Sequence, residues 1–178
     1  RTFRDARDVD VVRQVLDEAG VVTRRVDAGE FGVSYVIQRN ESDLDLLRRI
    51  ASRNGFVLFA QEGEVVFGRP ALTADPVSLG DAVVMELDYT MSTRGVPTGV
   101  RVHAWDPGAG QDVDGEAGAS DVPRIGGGEV AIGAPWSLWS GPSHVTDFEV
   151  VDPSLSRTVA VSALERASWT FLRGRAVV

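Results

Sequence analysis

Hydrophobic residues recur at helical spacing in two segments of the N-terminal third of the chain. Between residues 8 and 19 the apolar positions repeat at i, i+3, i+4 and i+7, and Gly20 follows as a helix-ending residue. Between residues 43 and 54 the spacing recurs behind Ser42, whose hydroxyl is suited to cap a helix, and Gly55 ends the segment. Both segments are predicted to be helices with one buried face. The side chains expected on that face are Val12, Val15, Leu44, Leu47 and Ile50.

Segments rich in β-branched and aromatic residues alternate with these helices and are predicted to be strands. The turn Gln61-Glu62-Gly63 joins two of them into a hairpin. Further along, Val159, Ala163 and Ala167 recur at helical spacing and predict a third helix over residues 153–171. The predicted strands are 31–38, 56–60, 64–68, 81–91, 98–105, 145–151 and 175–178.

The character of the chain changes around residues 69–76, where two prolines and several small residues interrupt the pattern. We therefore expect a helix-and-hairpin module over residues 1–72 and a second unit over residues 73–178. Residues 106–142 hold nine glycines and four prolines without clear periodicity, which predicts a long acidic loop. The fold class predicted from these elements is α+β.

The order of these elements resembles the phage late control D and VgrG family of tail hub proteins. The stretch SDLDLLRRIASRNGFVLF, followed by EGEVVFG, is similar to that family's capped helix with paired arginines, Gly-aromatic strand and short hairpin. Downstream, VRVHAWDPGAGQDVDGEA resembles a strand with an Asp-Pro turn and a Gly-Ala return. The terminal ALERASWTFLRGRAVV resembles the helix and strand that re-enter the hub's second barrel.

This resemblance implies a baseplate hub of a contractile phage tail or of a type VI-like injection particle. The fold that it implies is a helix-and-hairpin module attached to a partial antiparallel β-barrel. Three copies of such a hub adapt a trimeric spike to a hexameric tube, so the implied partners are other hub subunits, the tail tube and the spike. The protein would be cytoplasmic during assembly and then part of the particle. The full-length protein is expected to be a homotrimer, and this chain alone monomeric or weakly associated.

Charge is distributed unevenly along the chain, and this distribution limits the classes of molecule that the protein is expected to bind. The net charge is −8, and residues 105–155 hold nine acidic residues against a single basic one, Arg124. Because an acidic surface repels phosphate, nucleic-acid binding is disfavoured. No run of about 18 apolar residues is present, so no membrane insertion is expected. The N-terminus lacks the apolar region of a signal peptide, and the absence of cysteine excludes disulfides and fits a reducing compartment.

Two motifs suggest metal or phosphate chemistry, and neither has the required pattern. In Asp112-Val113-Asp114-Gly115, placing Gly115 at position 6 of a calcium loop puts Gly110 at the first ligand position, so a solvated acidic loop is favoured. Gly126-Gly127-Gly128 is not followed by the lysine and helix of a phosphate loop. The basic residues Arg48, Arg49 and Arg53 are expected to form mostly a solvated helix face.

Ser143, His144 and Asp147 contain the residue types of a hydrolase triad, but no nucleophile elbow accompanies them. His103, beside Trp105 on a predicted strand, is expected to be a packed or rim histidine. We therefore predict that the chain is not an enzyme, with no catalytic residue, no cofactor site and no metal site.

Trp136 and Trp139 lie in the proline-bracketed stretch APWSLWSGP. Two indoles in such a loop could bind carbohydrate or protein, or could plug the end of a barrel. The alternative function is therefore a carbohydrate- or protein-binding module that uses these tryptophans and the acidic loop. A binding module would expose both indoles on a groove, whereas a hub would bury at least one.

Overall fold

The computed structural model describes residues 1–29, 31–70, 84–106, 109–122, 141–145 and 153–177. This part of the chain contains three α-helices and ten β-strands. The helices are α1 (Asp8–Glu18), α2 (Asp43–Asn54) and α3 (Pro153–Ser168). The strands are β1 (Thr2–Arg7), β2 (Thr23–Val26), β3 (Gly32–Ile37), β4 (Val57–Gln61), β5 (Glu64–Gly68), β6 (Glu86–Met91), β7 (Gly99–Asp106), β8 (Gln111–Gly118), β9 (Ser143–Val145) and β10 (Leu172–Val177).

The N-terminal elements enclose one hydrophobic core. Strand β1 pairs with β3 in antiparallel fashion, and β2, β5 and β4 form a sheet in which β2 runs parallel to β5. Helices α1 and α2 pack inward because their apolar residues share one face. Ser42 caps α2, since its hydroxyl accepts a hydrogen bond from the Asp45 backbone nitrogen at 3.1 Å. The buried residues of this core are Phe3, Val11, Val12, Val15, Leu16, Val36, Leu46, Leu47, Ile50, Ala51, Phe56 and Phe67.

A second core lies against α3. Strand β7 is central in a three-stranded sheet, antiparallel to β8 and parallel to β9. Side chains alternate along β7, so Val100 and Val102 are buried while Arg101 and His103 are exposed. The buried residues of this core are Phe31, Val96, Val100, Val102, Ala117, Val122, Val159, Ala160 and Leu164.

The two cores are in contact through the ends of α2 and β3. Gly55 ends α2 in the left-handed conformation with φ of 68° and lies so close to α3 that a Cβ atom there would be 2.8 Å from Ser162 Oγ. Phe31, which precedes β3, belongs to the second core, and the guanidinium of Arg53 lies 5.5 Å from its ring centroid. The N-terminal module is therefore packed directly on the C-terminal helix.

Strand β8 corrects the prediction of one long loop over residues 106–142. Residues Gln111–Gly118 pair with β7 over eight residues. The period-two pattern is hard to recognise because the inward residues are Val113, Gly115 and Ala117, of which only Val113 is a large apolar residue. Strands β1 and β2 were also not predicted from the sequence. Residues 123–140 of the predicted loop lie outside the described residues.

Two predictions about which side chains of α2 are buried were wrong. Leu44 is 48% exposed, whereas its neighbour Leu46 is fully buried, because the buried face is centred on Leu46 and Ile50. Arg53 was expected on a solvated face but is buried. Arg49 is paired with Glu41, through Arg49 Nη2 to Glu41 Oε1 at 2.6 Å.

The mixture of helices and sheets confirms the predicted α+β class. Within the residues that the structure describes, the strands form two two-stranded and two three-stranded sheets and no closed barrel. The sheet around β7 is not purely antiparallel, since β9 runs parallel to it. The partial barrel of the tail-hub type stays a prediction, and so does the domain boundary at residue 72, which lies outside the described ranges. No described helix has the length and apolar character needed to cross a bilayer.

Candidate interaction surface

Strands β6 and β10 form a two-stranded antiparallel ribbon whose residues are mostly exposed on both faces. The register places Leu87 opposite Ala176, Tyr89 opposite Gly174 and Met91 opposite Leu172. Directly opposed residues of an antiparallel pair point to the same side, so these six positions share one face. We call this surface, made of Leu87, Tyr89, Met91, Leu172, Gly174 and Ala176, the apolar ribbon face.

The other side of the ribbon is polar. It carries two carboxylates on β6, from Glu86 and Asp88, and two guanidinium groups on β10, from Arg173 and Arg175. Apolar and polar residues therefore alternate along both strands of the ribbon. This pattern is typical of a strand pair that covers a core on one side and faces water on the other. Tyr89 opposite Gly174 is the aromatic–glycine pairing that compensates for a glycine in a strand.

Within the described part of the chain, no element covers the apolar ribbon face. Tyr89 is 69% exposed and Leu87 is 61% exposed, and Met91 and Leu172 are also more than half exposed. Met85, just before β6, extends the exposed apolar row and is held to the ribbon by its backbone N–H, which donates to the Val177 carbonyl at 2.8 Å. A contiguous exposed apolar patch of this kind is characteristic of a site of interaction.

A second surface lies on the outer side of the β7–β8 hairpin. His103 is directly opposite Asp114, with Nδ1 2.5 Å from Asp114 Oδ1, and its Nε2 lies 3.6 Å from Asp112 Oδ1. The hydrogen bond to Asp114, assisted by the charges of Asp114 and Asp112, raises the pKa of His103 above its ordinary value. Arg101 pairs with Glu116 on the same face at 2.9 Å. The sequence predicts a packed or rim histidine, and the structure shows that His103 is exposed and not packed.

A buried polar cluster supports the N-terminal module. The Asp8 carboxylate accepts hydrogen bonds from Arg53 Nε and from Asn54 Nδ2, each at 2.7 Å. The backbone N–H of Asp8 donates to the Phe31 carbonyl at 3.1 Å. Each of these buried polar groups has a hydrogen-bond partner within the cluster, so we interpret the cluster as structural.

The sequence-predicted chemical motifs are not assembled into a site among the described residues. Asp112 and Asp114 lie on β8, where strand geometry replaces the loop that calcium would need. Ser143 and His144 are consecutive on β9, so their side chains point to opposite faces of the strand and cannot form a nucleophile–base pair. Asp147, Gly126-Gly127-Gly128, Trp136 and Trp139 lie outside the described residues. No cluster of three or more potential metal-ligating side chains occurs within the described ranges.

An open groove of about 340 Å³ lies between the β7–β9 side of the sheet and α3. Its lining includes Val96, Pro97, Val145 and Ala163, and none of the lining residues that the structure describes is ionisable. Ser143 is the one hydroxyl among these described lining residues, and no acid or base accompanies it there to take its proton. The apolar ribbon face is thus the surface with the clearest capacity for interaction. Sequence reasoning missed it, although the alternation of Leu87, Tyr89 and Met91 with polar residues was visible.

Two solved tail proteins share this fold. The 43 kDa tail protein of prophage MuSo2 from Shewanella oneidensis aligns with 98% of this chain at a TM-score of 0.61 and 19% identity. The tail protein from Neisseria meningitidis MC58 aligns with 99% of the chain at a TM-score of 0.65 and 14% identity. The chain spans about half of each of these proteins, 48% and 51%. At such low identity the likeness establishes a common fold.

A family of protein domains also matches the sequence. Residues 1–129, well over half of the chain, match the model of the family described as the Alg8 N-terminal domain. Among curated proteins, no sequence matches this chain significantly.

Proposed function

This chain belongs to the Alg8 N-terminal domain family, and from its fold and surface we propose that it is a structural component of a phage tail or a phage-tail-like injection particle. The observation that carries the proposal is an apolar ribbon face left exposed by the described residues, on a chain whose fold is that of two tail proteins. A protein that works by assembly needs such surfaces, because buried apolar area drives association.

We further propose the more specific role of a baseplate hub that adapts the spike to the tail tube. The late control D and VgrG-like order of helix, hairpin and strands supports this role, and the complete protein would then act as a homotrimer. Its partners would be other hub subunits, tube and spike. No reacting residue is needed for such a function, since the work is done by the geometry of the interfaces.

The absence of catalysis is part of the same proposal. It is supported by the opposed directions of Ser143 and His144 and by the lack of ionisable residues among the described residues that line the groove beside α3. A hydrolase screen on the purified protein should give no turnover above background. Turnover that His144→Ala abolishes would contradict this part of the proposal.

The structural role can be tested in a strain that encodes the protein. An epitope-tagged copy should sediment with intact particles, and deletion of the gene should abolish assembled particles while leaving free tube subunits in the lysate. Complementation with the unaltered gene is the control. A protein that never sediments with particles, in a deletion strain with normal particle yield, would refute the proposal.

The hub role is tested separately, by light scattering on the full-length protein. A trimeric mass is expected. A full-length protein that stays monomeric at micromolar concentration would contradict the hub role and favour a binding module.

A further inference from the structure

We propose that, in the complete protein, polypeptide outside these 178 residues packs on the apolar ribbon face as a second layer of the same subunit. We call this polypeptide the remainder. The starting point is the instability of a bare ribbon: two strands alone are marginal in water and become stable when a further layer covers their apolar side. Helix α3 provides such a layer for the sheet around β7. Within the described part of the chain, β6 and β10 pack on each other, and no other element packs on them to a comparable extent.

The solved tail proteins of this fold contain enough polypeptide to form such a layer. Their alignment uses 98% and 99% of this chain but only 48% and 51% of their own lengths. Each of them therefore has about as much polypeptide again outside the aligned part, which is enough for a further domain. We expect the complete protein to have a comparable length, and the remainder is then the proposed occupant of the face.

The surface has the form of one side of a core. In two of its three cross-strand pairs a large side chain lies opposite a small residue: Leu87 is opposite Ala176, and Tyr89 is opposite Gly174. Such pairs leave recesses into which the side chains of a facing layer can fit. None of the six residues of the face is charged. Interfaces between separately folded proteins, by contrast, are as a whole about as polar as the rest of the surface.

An open hollow of about 430 Å³ lies at the Met91 end of the face. Its described lining residues are Met91, Ser92, Thr93 and Phe171. Phe171 also packs against the second core. A layer that fills this hollow would therefore cover the ribbon and extend the second core at the same time.

The small size of the face favours an occupant from the same polypeptide over a separate protein. Six positions form the face, whereas a standard interface uses about 20 to 30 residues on each side. A separate partner that used this face alone would bind it weakly. A tethered layer has an effective concentration in the range of about 1 mM, so it would occupy the face however dilute the protein is.

A second copy of the chain is a poorer occupant for two further reasons. The chain carries a net charge of −8, so two copies repel each other. A contact between two identical faces is two-fold symmetric and cannot close a ring of three copies, which is the assembly of the proposed hub. The remainder meets neither difficulty.

Photo-cross-linking in the full-length protein tests the inference. Tyr89→benzoylphenylalanine places a photoreactive side chain at the centre of the face, and Thr90→benzoylphenylalanine places it on the polar side as the control. After irradiation the Tyr89 variant should migrate as a single subunit in denaturing electrophoresis, and peptide mass spectrometry should locate its cross-link in the remainder. The Thr90 variant should give far less of this product. Circular dichroism checks that each variant is folded.

Thiol labelling of the full-length protein gives a second readout that changes the surface less. In the folded protein Leu87→Cys should react with a maleimide at least about tenfold more slowly than in urea, because a covered thiol reacts only when the layer opens. Asp88→Cys, on the polar side of the same strand, should react at similar rates under both conditions. Because the 178 residues contain no cysteine, peptide mass spectrometry separates each introduced thiol from any thiol in the remainder.

Four results would overturn the inference. They are a cross-linked product with the mass of two subunits, a cross-link from a folded Tyr89 variant that does not reach the remainder, equal labelling of the two cysteine variants, and a full-length protein no longer than this chain. The inference goes beyond the proposed structural role and does not depend on it. If the protein sediments with particles and the face labels freely, the inference fails and the role stands. If the face is covered and the protein never sediments with particles, the role fails and the inference stands. Where both hold, contacts between subunits are made by other surfaces of the complete protein, and the shared fold supports the role.

Discussion

Arg53 and Asp8 form a buried ion pair that connects the end of α2 with the beginning of α1. Arg53 Nε donates to Asp8 Oδ2 at 2.7 Å, and Arg53 Nη2 donates to Asp8 Oδ1. Only 10% of the Arg53 side chain and 1% of the Asp8 side chain are exposed. The same guanidinium faces the ring of Phe31, so the charged group of α2 contacts residues from two other parts of the chain.

Replacement of Asp8 by alanine is expected to lower the free energy of unfolding by about 3 to 5 kcal/mol. The physical reason is that Arg53 would keep its charge in a buried place without a counter-charge. Urea denaturation followed by circular dichroism measures the change. Asp17→Ala removes an exposed carboxylate from the same helix and should change the free energy by less than about 0.5 kcal/mol. Equal stability of the two variants would show that the ion pair contributes little.

The contact between Gly55 and Ser162 predicts a second large effect. Alanine at position 55 must adopt a left-handed conformation and also brings its Cβ to 2.8 Å from Ser162 Oγ. Gly63 has φ of 84° but no neighbour within 4 Å, so Gly63→Ala carries the conformational cost alone. We expect Gly55→Ala to be more destabilising than Gly63→Ala by about 1 to 3 kcal/mol in chemical denaturation. Similar losses for both variants would mean that the Ser162 side chain or α3 moves aside without cost.

Local signals in the sequence predicted much of the N-terminal module. The Ser42 cap, the left-handed Gly55 and the helical spacing of Val12 and Val15 act within a few residues, and the structure confirms each of them. The burial of Arg53 depends on Asp8, 45 residues earlier in the chain. No periodicity of α2 alone encodes such a partner, so the arginine was assigned to the surface.

The apolar ribbon face was also hard to predict, because its exposure depends on parts of the chain far from β6. The alternation of Leu87, Tyr89 and Met91 indicates a strand with one apolar face, but the local pattern does not tell whether that face is covered. Coverage depends on which strand pairs with β6 and on whether α3 reaches the ribbon. Strand β8 was missed because its inward residues are small, and small residues there are explained only by the close approach of α3.

The cluster around His103 predicts a pH dependence. The folded-state pKa of His103 is raised by its hydrogen bond to Asp114, so protonated His103 favours the folded state. This contribution is fully present below the ordinary histidine pKa of 6.5 and is lost as the pH rises through the raised value. Titration of the His103 ring by NMR should give a pKa above 6.5, and Asp114→Asn should lower it.

Glu116→Gln provides the matched control for that titration. Glu116 lies on the same face but is paired with Arg101, so its neutralisation should change the His103 pKa less than Asp114→Asn does. A His103 pKa that is insensitive to Asp114→Asn would show that the hydrogen bond does not form in solution.

The last prediction concerns the packing of β8 on α3. A Cβ atom added to Gly115 would overlap the backbone of Ser156 and Arg157, which is rigid helix and cannot turn away as a side chain could. Gly115→Ala should therefore push β8 from α3 and destabilise the chain by about 3 kcal/mol or more. Gly118, in the same strand, has φ of −131° and no neighbour within 4 Å of an added Cβ. Gly118→Ala should thus be neutral or stabilising by up to about 1 kcal/mol, because alanine restricts the unfolded chain. Thermal unfolding of the two variants decides the matter: if Gly115→Ala melts at the same temperature as Gly118→Ala, β8 does not pack on α3 as described.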